Sequence, residues 1–214
     1  MRTHKLPAYF ESLFNILYLS TAFFLGIRIL LLGGAAPKTL FGIMALILAS
    51  GDACHLIPRV AAGFSPDRQR FARSLGFGKM ITSVSMTLFY VILWHIGVAA
   101  FSLTGLWPWT SAVYLLAASR IIISVLPQNK WSSDSSPASW AVYRNIPFLM
   151  LGGVNCILFF LHRSAAGFEH MWLAILLSFA FYLPVVIWSK KYPPIGMLML
   201  PKSCVYIWII TMGL

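Results

Sequence analysis

Charge is what this 214-residue chain has least of. Only 10% of its residues are Asp, Glu, Lys or Arg, where a soluble domain carries about 25%. Acids are scarcest, five against sixteen Lys and Arg. Cysteine is limited to Cys54, Cys156 and Cys204, an odd number at spacings that fit neither a zinc site nor a disulfide framework. No polar stretch is long enough for a soluble domain or an extended linker, and no short-period repeat stands out. These shortages exclude an ordinary water-soluble globular protein. The formal net charge of +11 would suit nucleic acid on a soluble surface. Here the basic residues lie mainly in short loops between apolar segments. Anionic lipid headgroups are therefore the expected neighbours, and nucleic acid is not.

What the chain does have is apolar length. Hydrophobic residues make up 59% of it, in repeated stretches of about 20 residues, the length that crosses a bilayer as a helix. Seven spans are predicted within a single domain, 1–214: Phe10–Leu32, Leu40–Ile57, Leu75–Phe101, Pro108–Leu126, Ile146–Leu161, Met171–Trp188, and Pro194 to the C-terminus. Loop signals such as "GGAAPK", "GFSPDRQR" and "SKKYPP" separate them. Arg2 and Lys5 before the first run hint at a signal peptide. The run is long for one and Arg28 interrupts its end, so an uncleaved first helix is expected. The three cysteines fall inside spans and are expected as small buried thiols. The longest connection, 127–145, carries Trp131 and Trp140, expected at the membrane interface.

Loop charges set the orientation. With the N-terminus inside, the inner segments hold Arg2, Lys5, Arg59, Arg68, Arg70, Arg73, Lys130, Arg144, Lys190 and Lys191, ten basic residues against Lys38 and Arg163 outside. That is a strong positive-inside bias. Six or eight spans would scramble it. The expected fold is thus an all-α seven-transmembrane-helix bundle, N-terminus cytoplasmic and C-terminus outside, in a bacterial-type cytoplasmic membrane.

Topology then converts position into depth at about 1.5 Å per residue. From the cytoplasmic ends of their spans, Asp52 and Arg120 lie ~10 Å in, Lys202 ~12 Å, Asn155 ~13 Å and Lys79 ~6 Å. His55 is nearer the end of its helix than Asp52, and Glu11 and Asn15 start the first helix on the same side. Arg28, His95 and His162 fall near outer ends, ordinary snorkelling positions. Each ionised group at bilayer depth costs about 2.5–3.5 kcal/mol. Pointing them all inward is cheaper than exposing each to lipid. The predicted feature is a cytoplasm-facing polar cavity in which Asp52 and Glu11 pair with Lys202, Arg120 or Lys79. Its basic excess suits a lipid or small anionic molecule. Pro201 and Pro184 are expected to loosen helices around it.

These residues admit several chemistries. Asp52-x-x-His55 shares one helical face and suits an acid/base or proton-relay pair; a structural ion pair is the alternative. A metal needs three or four ligands, which Asp52, His55 and Glu11 would have to assemble alone, and neither metal nor cofactor is expected. Lys202 as a retinal Schiff-base lysine lacks an acidic counter-ion on the third helix. Cys54 as a nucleophile points about 100° away from His55. "GFGK" at 76–79 lacks the remaining P-loop pattern. Ser83, Ser85 and Thr87 are expected to serve helix packing.

"ASGDACHLIPR", followed by "FARSLGFGKMITSVSMTLFY", resembles the membrane lysoplasmalogenase family. Members carry G-D-x-x-L-x-x-P and then a helix with spaced Phe, Gly, His and Tyr. Gly51, Asp52 and Pro58 match the first pattern, with His55 at its apolar position; Phe71, Gly76 and Tyr90 match the second loosely, without its His. The resemblance spans about 40 residues. The family's later Ser-Asp pair has no counterpart, and its members usually have eight spans. What the resemblance implies is hydrolysis of the vinyl-ether bond of an ether lysophospholipid, with Asp52 as acid or base. The layout is also similar to that of the zinc hydrolase superfamily of alkaline ceramidases and adiponectin receptors, but the late His-x-x-x-His is missing.

Two function classes follow. One is a lipid hydrolase, with Asp52 as acid/base, His55 assisting, and Lys202 and Arg120 holding an anionic group. The other is a transporter or proton-coupled carrier using the same residues.

Overall fold

A computed structural model describes residues 5–67, 69–133, 137–189 and 191–214. Its elements are seven α-helices: α1 (Lys5–Leu32), α2 (Ala36–Phe64), α3 (Ala72–Ala100), α4 (Trp107–Val125), α5 (Ala138–Leu161), α6 (Met171–Trp188) and α7 (Met199–Thr211). Among the described residues there is no strand. Seven helical stretches, the last beginning at Pro193, are long and apolar enough to cross a membrane, as a multi-pass membrane protein requires. Arg2, Arg68 and Lys190 of the loop-charge pattern lie outside the described residues, as does the side chain of Lys5.

An apolar chain in lipid must satisfy its backbone within each segment, so helices are the expected solution. Their ends follow local chemistry. Gly33 and Gly34 take φ of +61° and +134° beyond α1, a conformation that costs glycine least, and Pro37 sits in the first turn of α2. The helices pack in chain order, each on the next, and α7 returns to α1 to close a ring; α3 also touches α5, and α2 touches α7. The α2–α3 contact is the most extensive, and glycine makes it possible. A Cβ on Gly78 would lie 2.7 Å from the Cα of His55, and one on Gly51 would run into the Ser85 side chain. Thr82 Oγ1 donates to the Gly51 carbonyl at 3.0 Å across the same seam.

Several boundaries differ from the hydropathy reading. Helix α2 continues past Ile57 through Pro58 to Phe64, and α5 begins at Ala138, ahead of Ile146 and through Pro147. Hydropathy stops at charged residues such as Arg59 and Arg144, but the helical backbone does not. Asp52 is therefore deeper than expected, ~18 Å from the end of α2 at 1.5 Å per residue. Because α5 starts early, the connection after α4 is shorter. Asn129 Nδ2 donates to the carbonyl of Leu126 at 3.0 Å, and Trp131 Nε1 donates to that of Ser124 at 2.8 Å. These bonds satisfy the open end of α4. Arg144 stacks over Trp131 at 4.2 Å and donates to Asn129 Oδ1 at 2.9 Å, so Trp131 is tied to α4 and α5 rather than held only by the membrane interface.

The seventh span is composite. Pro193–Leu198 form a 3₁₀ helix before α7. Six 3₁₀ residues rise ~12 Å and thirteen α residues ~20 Å, which together match the ~30 Å hydrocarbon core. Pro201 is the third residue of α7. Its missing N–H belongs to the first turn, where no helical partner exists anyway, so it opens α7 instead of loosening it. Pro184 does fall inside α6 and removes a hydrogen bond there.

The cysteine expectation is corrected. Cys54 and Cys204 are exposed and Cys156 is half-buried. Cys54 and Cys204 lie on outward sides of their helices, where a weakly polar thiol is tolerated by lipid, while Cys156 packs against the core and donates to the Trp172 carbonyl at 3.5 Å. The buried core is aromatic and aliphatic instead, centred on Phe89, Tyr90, Phe148, Phe179 and Tyr206.

Candidate functional site

Polar groups gather in one half of the bundle, toward the N-terminus of α1, and they do so in two tiers. The first tier is a cavity of about 240 Å³ among the ends of α1, α2 and α3. Glu11, Ser12 and Asn15 line it from α1, His55 and Arg59 from α2, and Leu75 and Lys79 from α3. On α1 and α2 these residues recur at three- and four-residue spacing, which holds each set on one helical face. Glu11 and Arg59 form an ion pair. His55 meets the backbone of Leu75 through one side of its ring, and its Nδ1 is buried with no hydrogen-bond partner. The volume is below the range that encloses a drug-sized molecule and fits a headgroup or a small polar group.

One turn deeper lies the second tier. Tyr18 follows Asn15 by three residues, and Asp52 precedes His55 by three. Tyr18, 4% exposed, donates its hydroxyl to Asp52 Oδ2 at 2.7 Å. Lys202 is within electrostatic range of Asp52 but forms no ion pair with it. Its ammonium rests over the rings of Tyr182 and Tyr206, 4.7 and 4.9 Å from their centroids. Such cation–π contacts are worth about 2 kcal/mol when desolvated.

The hydroxyl protons of this tier can be assigned in sequence, since each hydroxyl carries one. Ser178 Oγ donates to the Ile175 carbonyl at 2.8 Å. Tyr90 is then the donor to Ser178 Oγ, 2.9 Å away. The Tyr206 hydroxyl, beside that of Tyr90, is left to donate to Tyr90. Tyr182 donates to Asn145 Oδ1 at 2.8 Å, so its oxygen accepts from Arg120, whose guanidinium it neighbours. Every helix of the ring contributes: Tyr18, Asp52, Tyr90, Arg120, Asn145, Tyr182 and Lys202 stand on α1 to α7 in turn.

Arg120 is the least compensated member. It is 2% exposed, and its Cζ lies 3.3 Å from the centroid of the Phe148 ring. Its Nε and Nη1 have no acceptor. Each buried donor without a partner costs about 1–3 kcal/mol, more when charged, so ring stacking alone leaves a deficit.

The expected residues therefore separate. Asp52, Lys202 and Arg120 come together in the deeper tier; Glu11, Asn15, His55 and Lys79 meet in the cavity. The expected pairing of both acids with interior bases is corrected: Glu11 takes Arg59, and Asp52 takes Tyr18. Asn155 joins neither tier. It lies seventeen residues into α5 because that helix starts early, which moves it to the opposite half of the bundle. There its Nδ2 donates to the Leu151 carbonyl at 2.9 Å, and its buried Oδ1 has no partner. Of the small hydroxylic residues, Ser83 bonds Ser124 across α3 and α4 at 2.9 Å, while Ser85 and Thr87 bond within α3. Among the described residues no three of His, Cys, Asp and Glu converge as a metal-ligand set.

Sequence reasoning missed the tyrosines, because their rings blend into apolar spans. The available signal was their depth. A tyrosine near a span's end sits at the interface, whereas one in mid-span needs a hydrogen-bond partner, and Tyr18, Tyr90 and Tyr206 are mid-span. No family model matches the chain, and neither a curated protein nor a solved structure does.

Proposed function

We propose that this chain is a multi-pass membrane enzyme that acts on a lipid or amphiphile from the cytoplasmic side, with its N-terminus inside and Asp52 as the acid/base. The observation that carries this reading is the Tyr18–Asp52 pair one turn beneath a headgroup-sized cavity. A carboxyl in the middle of a membrane helix is costly and functional by default. The resemblance of "GDACHLIP" to the lysoplasmalogenase pattern names the substrate class, an ether lysophospholipid in a bacterial cytoplasmic membrane. Lys79 and Arg59 would face its phosphate at the cavity.

The chemistry balances with one water. Protonated Asp52 gives its proton to the β-carbon of the vinyl ether, leaving an oxocarbenium ion. Water adds at the α-carbon, with His55 assisting, and its proton returns to the carboxylate. The resulting hemiacetal collapses to a fatty aldehyde and the free glycerophospho-alcohol. The Tyr18 hydrogen bond stabilises the carboxylate left between proton transfers.

The test is aldehyde release from an ether lysophospholipid by the purified protein in detergent. Release lost in Asp52→Asn, with folding retained, supports the hydrolase. No release by the folded native chain sinks this assignment.

The buried, incompletely paired Arg120 favours a second reading, a proton-coupled carrier of a small anion. A carrier moves its substrate across sealed vesicles and turns nothing over in detergent; chemistry without a sealed bilayer removes it.

A further inference from the structure

In the deeper tier several donors are left without an acceptor. The hydroxyl protons of Tyr18, Tyr90, Tyr182 and Tyr206 are all taken up, by Asp52, Ser178, Asn145 and Tyr90 respectively. What remains is two nitrogens of Arg120, Nε and Nη1, whose N–H bonds have no acceptor, and the Lys202 ammonium, which rests over two rings. Both cations converge on Tyr182, Arg120 at its hydroxyl and Lys202 over its ring. They stand within electrostatic range of each other, so each worsens the other's burial. Arg144 adds a third positive charge within range of Arg120. Among the described residues the carboxylate in range of Lys202 is Asp52, which Tyr18 engages. Two or three buried cations against one acid leave a net positive interior in a low-dielectric bundle, which is costly unless a counter-charge is present.

We propose that a small monovalent anion of the halide class is held inside the bundle between Arg120 and Lys202. Enclosure selects the class. Arg120, Phe148 and Tyr206 are each 2% exposed and Tyr90 is fully buried, so the anion must shed its water, which a phosphate gives up far less readily than a halide. A spherical anion also accepts from a guanidinium and an ammonium without demanding planar geometry. The site is separate from the lipid cavity lined by Glu11, His55 and Lys79 and rests on the donor imbalance, not on the hydrolase reading. Its role is to complete the packing of α4, α6 and α7.

The experiment uses the purified full chain in detergent at constant ionic strength. Thermal unfolding is followed as chloride replaces gluconate, and in parallel as inorganic phosphate does. A ligand that binds only the native state raises the unfolding temperature in a saturable way. The expected result is saturable stabilisation by chloride, none by phosphate, and an anomalous peak for bromide beside Arg120 in crystals of the native protein. Lys202→Met is expected to raise the half-saturating chloride concentration about ten-fold, the scale of one charged hydrogen bond, and Arg120→Gln to abolish the response where it folds. Lys79→Gln, in the cavity, leaves the response unchanged. Coincident chloride and gluconate curves for the native chain overturn the proposal, as does a response that survives intact in Lys202→Met. Saturable stabilisation by phosphate alone overturns the halide class and points to a headgroup. None of these readouts depends on catalysis, so a failed lipid assay leaves them standing.

Discussion

The Tyr18 hydroxyl donates to Asp52 Oδ2 at 2.7 Å and so ties the middle of α1 to the middle of α2. An interior hydrogen bond contributes roughly 0.5–1.5 kcal/mol when its acceptor is neutral and up to about 3 kcal/mol when it is ionised. Tyr18→Phe keeps the ring and removes only the donor. It is expected to lower unfolding stability in detergent by that amount. In Asp52→Asn the same substitution is expected to have a smaller effect, since the two residues are coupled. Equal losses in both backgrounds would show that the bond contributes nothing.

The ion pair at the cavity has a different weight. Glu11 and Arg59 keep 38% and 47% of their side-chain surface exposed, and an exposed pair is worth less than about 1 kcal/mol. Glu11→Gln is expected to cost less than that and to lose even this effect in molar salt. A loss matching that of Tyr18→Phe would mean that the pair is more enclosed than it stands here.

The α2–α3 seam predicts a contrast between two glycines. Adding a Cβ at Gly78 meets the backbone of Cys54 and His55, whereas at Gly153 it meets nothing within 4 Å. Gly78→Ala is expected to destabilise by roughly 1–3 kcal/mol through forced separation of the helices. Gly153→Ala should be neutral or stabilising by up to about 1 kcal/mol, the helix preference of alanine. Thermal unfolding of the two variants side by side decides it, and similar behaviour would contradict the close approach.

Orientation is open to thiol labelling. With Cys54, Cys156 and Cys204 replaced by alanine, Arg163→Cys between α5 and α6 and Arg70→Cys between α2 and α3 report on opposite ends of the bundle. An impermeant maleimide added to intact cells is expected to modify Arg163→Cys, and Arg70→Cys only after permeabilisation. The reverse pattern would invert the topology and turn the cavity outward.

Sequence alone determined the class of this protein. Too few charges and seven apolar runs leave helices as the backbone solution in lipid, and Met171–Trp188 has the same bounds in sequence and structure. It also identified Asp52, Lys202 and Arg120 as interior groups, because an ionised residue at that depth is too costly to face lipid. Helix ends were less legible, since hydropathy stops at charged residues such as Arg59 and Arg144, which lie within continuous helices. Only the tertiary structure decided who meets whom. Pairing depends on helix rotation and neighbour order, which hydropathy does not encode. That is why Glu11 found Arg59, why Asn155 fell into the opposite half, and why tyrosines from four helices, invisible as apolar residues, took the hydrogen bonds of the core.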